Sequence, residues 1–184
     1  GDERSEEALA ASEIEFRWIK ACPDLSGREV CVFAAYEPDG ILPEFKKSYL
    51  AALKRAGFVI VLVVALDNLN VKLVTRGFDF VDAILARDNK GFDFAAWSLV
   101  LTLVPSAWKA RLLILTNDSV FGPSRSFDSL IRKIRESDAD MAGLTESFEH
   151  KQHLQSYFLV FKRKALASPA FQKYWSGMKA LRSK

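Results

Sequence analysis

Cysteine and histidine are scarce, at two residues each in a chain of 184. Cys22 and Cys31 build no disulfide framework, and no Cys/His cluster has zinc-ligand spacing, so a reducing cytosol is the expected setting. Charge of one sign is lacking as well. The 26 Lys and Arg stand against 23 Asp and Glu, a formal +3, and the basic residues are scattered except toward the ends, which argues against a nucleic-acid partner. The basic C-terminal stretch, Lys162-Arg163-Lys164 followed by Lys173, Lys179, Arg182 and Lys184, reads as a solvated helix face, with anionic lipid or phosphate as the alternative. No apolar run is long enough to span a bilayer: "FVIVLVVAL" (58–66) is about half of the ~20 residues required and reads as a buried strand. The sequence opens without a signal-peptide pattern. Also missing are a Walker phosphate loop, Gly-x-Gly-x-x-Gly and a nucleophile elbow, which weakens nucleotide hydrolase, dehydrogenase and acyl-transfer readings.

What is there suits one globular domain over 1–184: 49% hydrophobic and 27% charged residues, enough for a sizeable core. The first segment, "SEEALAASEIEFRWIKA" (5–21), carries a Ser cap, early glutamates and Leu9, Ile14, Trp18 and Ala21 at helical spacing, which predicts an N-terminal helix and linker over 1–27 ahead of a core at 28–184. From there strands and helices alternate. "REVCVFAAYE", "FVIVLVVAL", "VDAILAR", "RLLILT", "DMAGLT" and "LQSYFLVFK" read as strands. The stretch from Leu42 to Gly57, with Phe45, Tyr49 and Leu53 on its apolar side, reads as a helix, as do the segments from Asp93 to Pro105, "FDSLIRKIRES" and "SPAFQKYWSGMKALRS". Continuous apolar strands between helices predict an α/β sandwich with a mostly parallel central sheet covered on both faces.

Ligands of such sheets bind beyond the carboxyl ends of the strands, where the polar residues of this chain collect. Tyr36 to Gly40, Asp67-Asn68, Asp88 to Asp93 and Asn117 to Ser119 are expected to share one rim. In "RDNKGFDFAAW" (87–97), Asn89, Lys90 and Gly91 form a turn and Asp93 stands where it would cap a helix. A plain turn explains these residues, but Arg87 and Lys90 beside a helix N-terminus also make an anion cradle. Asp118, flanked by Asn117 and Ser119, offers hard oxygen to Mg²⁺ or Mn²⁺; the other reading is an Asx turn opening the next loop. Glu146 in "GLTES" is either a general base or an exposed loop residue. His153, Gln155 and Tyr157 fall on one face of a strand, opposite Leu154, Ser156 and Phe158, as a cleft wall or as the wet face of an edge strand. His150 reads as solvent-exposed.

Taken together, "VFAAYEPDGILPEF", "DNKGFDFAAW", "LLILTNDSVFGP", "GLTES" and "HLQSYFLVFKRKALASPAFQKYW" resemble the rhamnan synthesis protein F family, glycosyltransferase-like proteins of bacterial polysaccharide and lipopolysaccharide assembly, over about Val30 to Trp175. The resemblance implies an A-type glycosyltransferase fold. It implies transfer of rhamnose or a related sugar from a nucleotide-sugar donor, such as dTDP-rhamnose, to a growing glycan, in the cytoplasm or peripherally at the inner membrane. The alternative is a non-catalytic nucleotide- or glycan-binding module of a larger synthase. By motif, "TNDS" takes the place of an Asp-x-Asp metal motif, which makes Asp118 the metal or diphosphate residue. Asn89 to Asp93 become the donor-sugar loop, Asp67 meets the base or ribose beside Tyr36, and His153, Gln155, Ser156 and Tyr157 line the diphosphate and acceptor side. "NDS" departs from the acidic pair, and no Asp or Glu follows Trp175 in this sequence, which leaves Glu146, another rim carboxylate or a residue of a missing segment as the general base, or a domain that does not catalyze.

Overall fold

The strand-rich center of the chain follows from runs of β-branched and aliphatic residues with no polar face. In the computed structural model, which describes residues 14–118, 125–137, 141–144, 158–173 and 175, seven strands form one sheet: β1 (Phe16–Lys20), β2 (Glu29–Tyr36), β3 (Val59–Leu66), β4 (Ala83–Asp88), β5 (Leu112–Asn117), β6 (Met141–Leu144) and β7 (Phe158–Lys162). Their order is β1-β4-β3-β2-β5-β7-β6. Among the described residues the helices are α1 (Glu44–Arg55), α2 (Phe92–Leu103), α3 (Arg125–Glu136), the short α4 (Arg163–Leu166) and a helical stretch at 169–173 and 175; a 3-10 helix over Pro105–Lys109 follows α2.

Every residue of β3 is buried, which is possible only where both faces of the sheet are covered. Successive side chains of a strand alternate between faces, and here the alternation separates two cores. Cys31, Phe33, Ile60, Leu62 and Val64 pack with Tyr49, Leu50 and Leu53 of α1 and with Ile131 and Ile134 of α3. Val30, Val32, Val61 and Val63 pack on the other side with Trp97, Val100 and Leu101 of α2, with Ala107, and with Leu166 and Trp175. The Trp97 indole donates to the carbonyl of Thr116 at 3.1 Å, tying α2 to β5 just below the strand's carboxyl end. Both cysteines are free; Cys31 lies in the first core, where burial pushes its thiol far up.

One expectation is met in part and another is corrected. The sheet is parallel only through its center, where β4, β3, β2 and β5 run together. β1, β7 and β6 are antiparallel to their neighbors, so the architecture is a mixed α/β sandwich whose parallel part is its four central strands. The helix expected to run to Ala21 is, over Phe16–Lys20, strand β1 paired with β4. Helical spacing in so short a segment loses to tertiary pairing, because β4 would otherwise present an unpaired edge. Lys20 secures the pairing by donating to the carbonyls of Asp79 and Val81, and half-buried Trp18 packs on the second core. Residues 1–13 lie outside the described part. Among the described residues no helix is long and apolar enough to cross a membrane.

Leu62 is fully buried on the central strand β3. Leu62→Ala should lower unfolding stability by about 2–5 kcal/mol through lost burial and a residual cavity, read as a shift of the urea midpoint.

Candidate functional site

The parallel register decides which turns meet. Tyr36 pairs with Ala65, Leu66 with Asp88 and Ala34 with Asn117, so the carboxyl ends of β2, β3, β4 and β5 reach one edge together. Tyr36, Asp67, the turn after Asp88, Asn117 and Asp118 stand along that edge, as the sequence led one to expect.

On the β2–β3 side, the Tyr36 hydroxyl donates to Asp67 Oδ1 at 2.6 Å. This bond, some burial and the Asp67 charge all push the phenol upward, while the residue stays 42% exposed. The pair presents an aromatic face beside a carboxylate held in place from one side.

On the β4–α2 side, Gly91 occupies the N-cap of α2 with φ 79°, left-handed backbone that glycine adopts without strain. A Cβ there would stand 2.9 Å from that of Ala95. Asp93 is therefore not the cap. Its carboxylate, in the first turn of α2, instead accepts from the Asn117 side chain at 2.8 Å, and Asn117 is fully buried. Arg87 departs from an open anion cradle: at 2% exposure its guanidinium donates to the carbonyls of Asp88 and Lys90 at 3.1 and 2.7 Å. It closes the turn from within, and burial lowers its pKa against the opposing pull of Asp93 and Asp88. Asn89 is exposed. Lys90 is the cation that does face outward, its side chain 63% exposed and 3.6 Å from Asp88 Oδ2.

Asp118 sits in a charge cluster that the sequence reading missed. Its backbone N–H donates to Ala34, and its Oδ2 accepts from the Tyr36 backbone N–H and from Lys46 Nζ, both at 2.9 Å. Lys46 also pairs with Glu37, and both residues are 7% exposed. Desolvation raises the Glu37 carboxyl, with Asp118 and Asp39 adding to the rise and Lys46 opposing it. A signal was present. The buried face of α1 is Lys46, Tyr49, Leu50 and Leu53, so a lysine occupies the apolar stripe, whereas Phe45, assigned to the stripe, is 56% exposed. A charge in such a stripe requires buried partners of opposite sign.

These contacts test the divalent ion implied for Asp118. One of its oxygens is already shared between an ammonium ion and a peptide N–H, and among the described residues no group of three or more His, Cys, Asp or Glu is arranged to hold a metal. The described surroundings of Asp118 do not fit Mg²⁺ or Mn²⁺. Ser119, Glu146, His150, His153, Gln155, Ser156 and Tyr157 lie outside the described residues.

Residues 61–184 match the family model described as Rhamnan synthesis protein F. The chain is also 30% identical over 154 residues to "Uncharacterized protein y4gN" of Sinorhizobium fredii (strain NBRC 101917 / NGR234), a match covering 80% of this chain and 39% of that protein. The chain thus spans well under half the length of this relative.

A carboxyl whose pKa is raised on folding favors the folded state at low pH and loses that contribution as pH climbs through the raised value. The stability difference, wild type minus Glu37→Gln, should therefore fall as pH rises from the ordinary glutamate range near ~4.3 toward neutrality. Urea midpoints of both proteins across that interval check it; a difference that grows with pH would mean that the Lys46 pairing outweighs desolvation.

Proposed function

The chain belongs to the rhamnan synthesis protein F family, and on that premise we propose that its rim binds a nucleotide-sugar donor, from which rhamnose or a related sugar is transferred to a growing bacterial polysaccharide or lipopolysaccharide glycan. The observation that carries this reading is the convergence of Tyr36, Asp67, the Asp88–Asp93 turn and Asn117 on the edge formed by four parallel strand ends, the usual place for a ligand of an open α/β sheet. An A-type glycosyltransferase-like arrangement accords with a sheet covered by helices on both faces.

In this reading the exposed ring of Tyr36 lies against the base or ribose and Asp67 accepts from a hydroxyl or ring N–H. The backbone N–H groups at the start of α2, with Lys90 and Asn89 beside them, meet the diphosphate, where the helix dipole favors negative charge. Arg87, Gly91, Asp93 and Asn117 hold that turn in shape. An acceptor hydroxyl then attacks the anomeric carbon. Its proton passes to a carboxylate, for which Glu146 is the candidate, and the bond to the nucleotide diphosphate breaks with the electron pair leaving on the diphosphate oxygen. Ser119 belongs to the donor side, and His153, Gln155, Ser156 and Tyr157 to the diphosphate and acceptor side. The work would be done in the cytoplasm, free or against the inner membrane and other synthase domains.

The commitment of Arg87 and Asp118 to internal partners favors a second reading, a donor- or glycan-binding module without turnover. Release of nucleotide diphosphate on adding acceptor glycan separates the two: release supports the transferase, and donor binding without release supports the module.

Titration calorimetry with dTDP-rhamnose and with other nucleotide diphosphates should detect binding by the wild type. Tyr36→Ala and Asp67→Ala should each weaken it by about tenfold or more, the loss of roughly 1.4 kcal/mol. Absence of any nucleotide binding would sink both nucleotide readings.

A further inference from the structure

Lys46 is held more firmly than an ordinary surface lysine. It leaves the first turn of α1 within the buried stripe it shares with Tyr49, Leu50 and Leu53, and its side chain is only 8% exposed. Two carboxylates from different strand ends aim at its ammonium: Glu37, just beyond β2, and Asp118, just beyond β5. Their side chains are 9% and 18% exposed. Two buried carboxylates converging on one point repel each other unless a cation stands between them. In this chain that cation is covalently part of the protein.

We propose that Lys46 is the built-in cation of the donor site, its ammonium filling the place between Glu37 and Asp118 that a divalent ion would occupy, so that nucleotide binding at the rim is independent of Mg²⁺ or Mn²⁺. The proposal rests on the nucleotide-binding reading of the rim for its second half only.

Three features of the geometry support it. Asp118 Oδ2 accepts from both the Tyr36 peptide N–H and Lys46 Nζ at 2.9 Å, so that oxygen already carries two donors. Mg²⁺ keeps several waters in near-ideal octahedral geometry, which two mostly buried carboxylates already bonded to an ammonium do not accommodate. Finally, an ion from solution would compete with a tethered ammonium, whose effective concentration at the site is set by the chain rather than by the medium. Asp118 becomes a positioning residue: through Lys46 it ties the end of β5 to α1, and through Tyr36 N–H to the end of β2.

The arrangement also leaves a latent divalent site, since truncating Lys46 removes the occupant and leaves both carboxylates. The full chain is titrated with Mn²⁺ alone, followed by calorimetry and by the electron paramagnetic resonance of free Mn²⁺, with no nucleotide present. Wild type and Lys46→Arg should bind no Mn²⁺ at the cluster. Lys46→Ala should gain binding at least about tenfold tighter than any background Mn²⁺ uptake by wild type, lost again when Asp118→Asn is added. In parallel, the wild-type affinity for a nucleotide diphosphate should stay within about twofold when Mn²⁺ is replaced by EDTA.

Wild-type Mn²⁺ binding that Asp118→Asn removes, a folded Lys46→Ala that gains no Mn²⁺, or nucleotide binding lost in EDTA would each overturn the proposal. Circular dichroism establishes the fold of each variant. If Lys46→Ala does not fold, Lys46→Met replaces it, and the wild-type Mn²⁺ titration decides without any variant. Should no nucleotide bind under any condition, the functional reading of the rim fails while the Mn²⁺ titrations still judge Lys46.

Discussion

The register of β2 between β3 and β5 is the constraint on which the rest of the molecule depends. All three strands run parallel, and their pairings set Tyr36 level with Ala65 and Ala34 level with Asn117. A slip by one residue would turn every buried side chain of β2 to the opposite face, exchanging Val32 and Phe33 between two cores of different shape. Because β2 is buried between two cores, register is held by packing on two sides at once, and the polar turns that follow the strands are delivered to one edge.

Charge near that edge is handled in two distinct ways. Arg87 is buried and spends its donors on backbone carbonyls, so it shapes a turn and leaves the neighboring Lys90 to present positive charge to solvent. Lys46 is buried and spends its charge on two carboxylates. Breaking either pairing would leave a desolvated ion without compensation, a cost that commonly exceeds what the intact pair contributes. The rim is therefore built on a scaffold whose charges are largely neutralized internally. Tyr36, Asp67, Asn68, Asn89 and Lys90 are among the exposed groups along it.

Much of the center was legible because its signal is redundant. "FVIVLVVAL" has no polar face, and only a strand covered on both sides accommodates it; the turn residues at 67–68, 88–91 and 117–118 then mark a common edge. The flanks were less legible. Phe16 to Lys20 carries no strong strand pattern, and its conformation is decided by the unpaired edge of β4, a partner distant in sequence. The antiparallel direction of β7 against β5 likewise depends on connections that local composition does not encode. At the site, the phase of α1 was the missing step. Placing Phe45 on the buried face conceals Lys46, whereas the spacing 46, 49, 50, 53 makes that lysine conspicuous and leads to Glu37 and Asp118 as the only acids near enough among the described residues to answer it. Gly91 also took the role assigned to Asp93, since a left-handed N-cap frees the carboxylate to reach Asn117.

The cluster of Lys46 with two acids has a consequence for how sequences of this kind diverge. Its members are separated by 9 and 72 positions along the chain, and loss of the lysine alone would leave two mostly buried carboxylates facing one another. A change at position 46 is therefore expected to be accompanied by a change at 37 or 118. Of the three, only Asp118 falls inside the stretch 61–184 that matches the family model. The role of a residue within that stretch is thus set by two residues upstream of it, and a relative that carries the aspartate without the lysine would be using the same carboxylate for a different purpose.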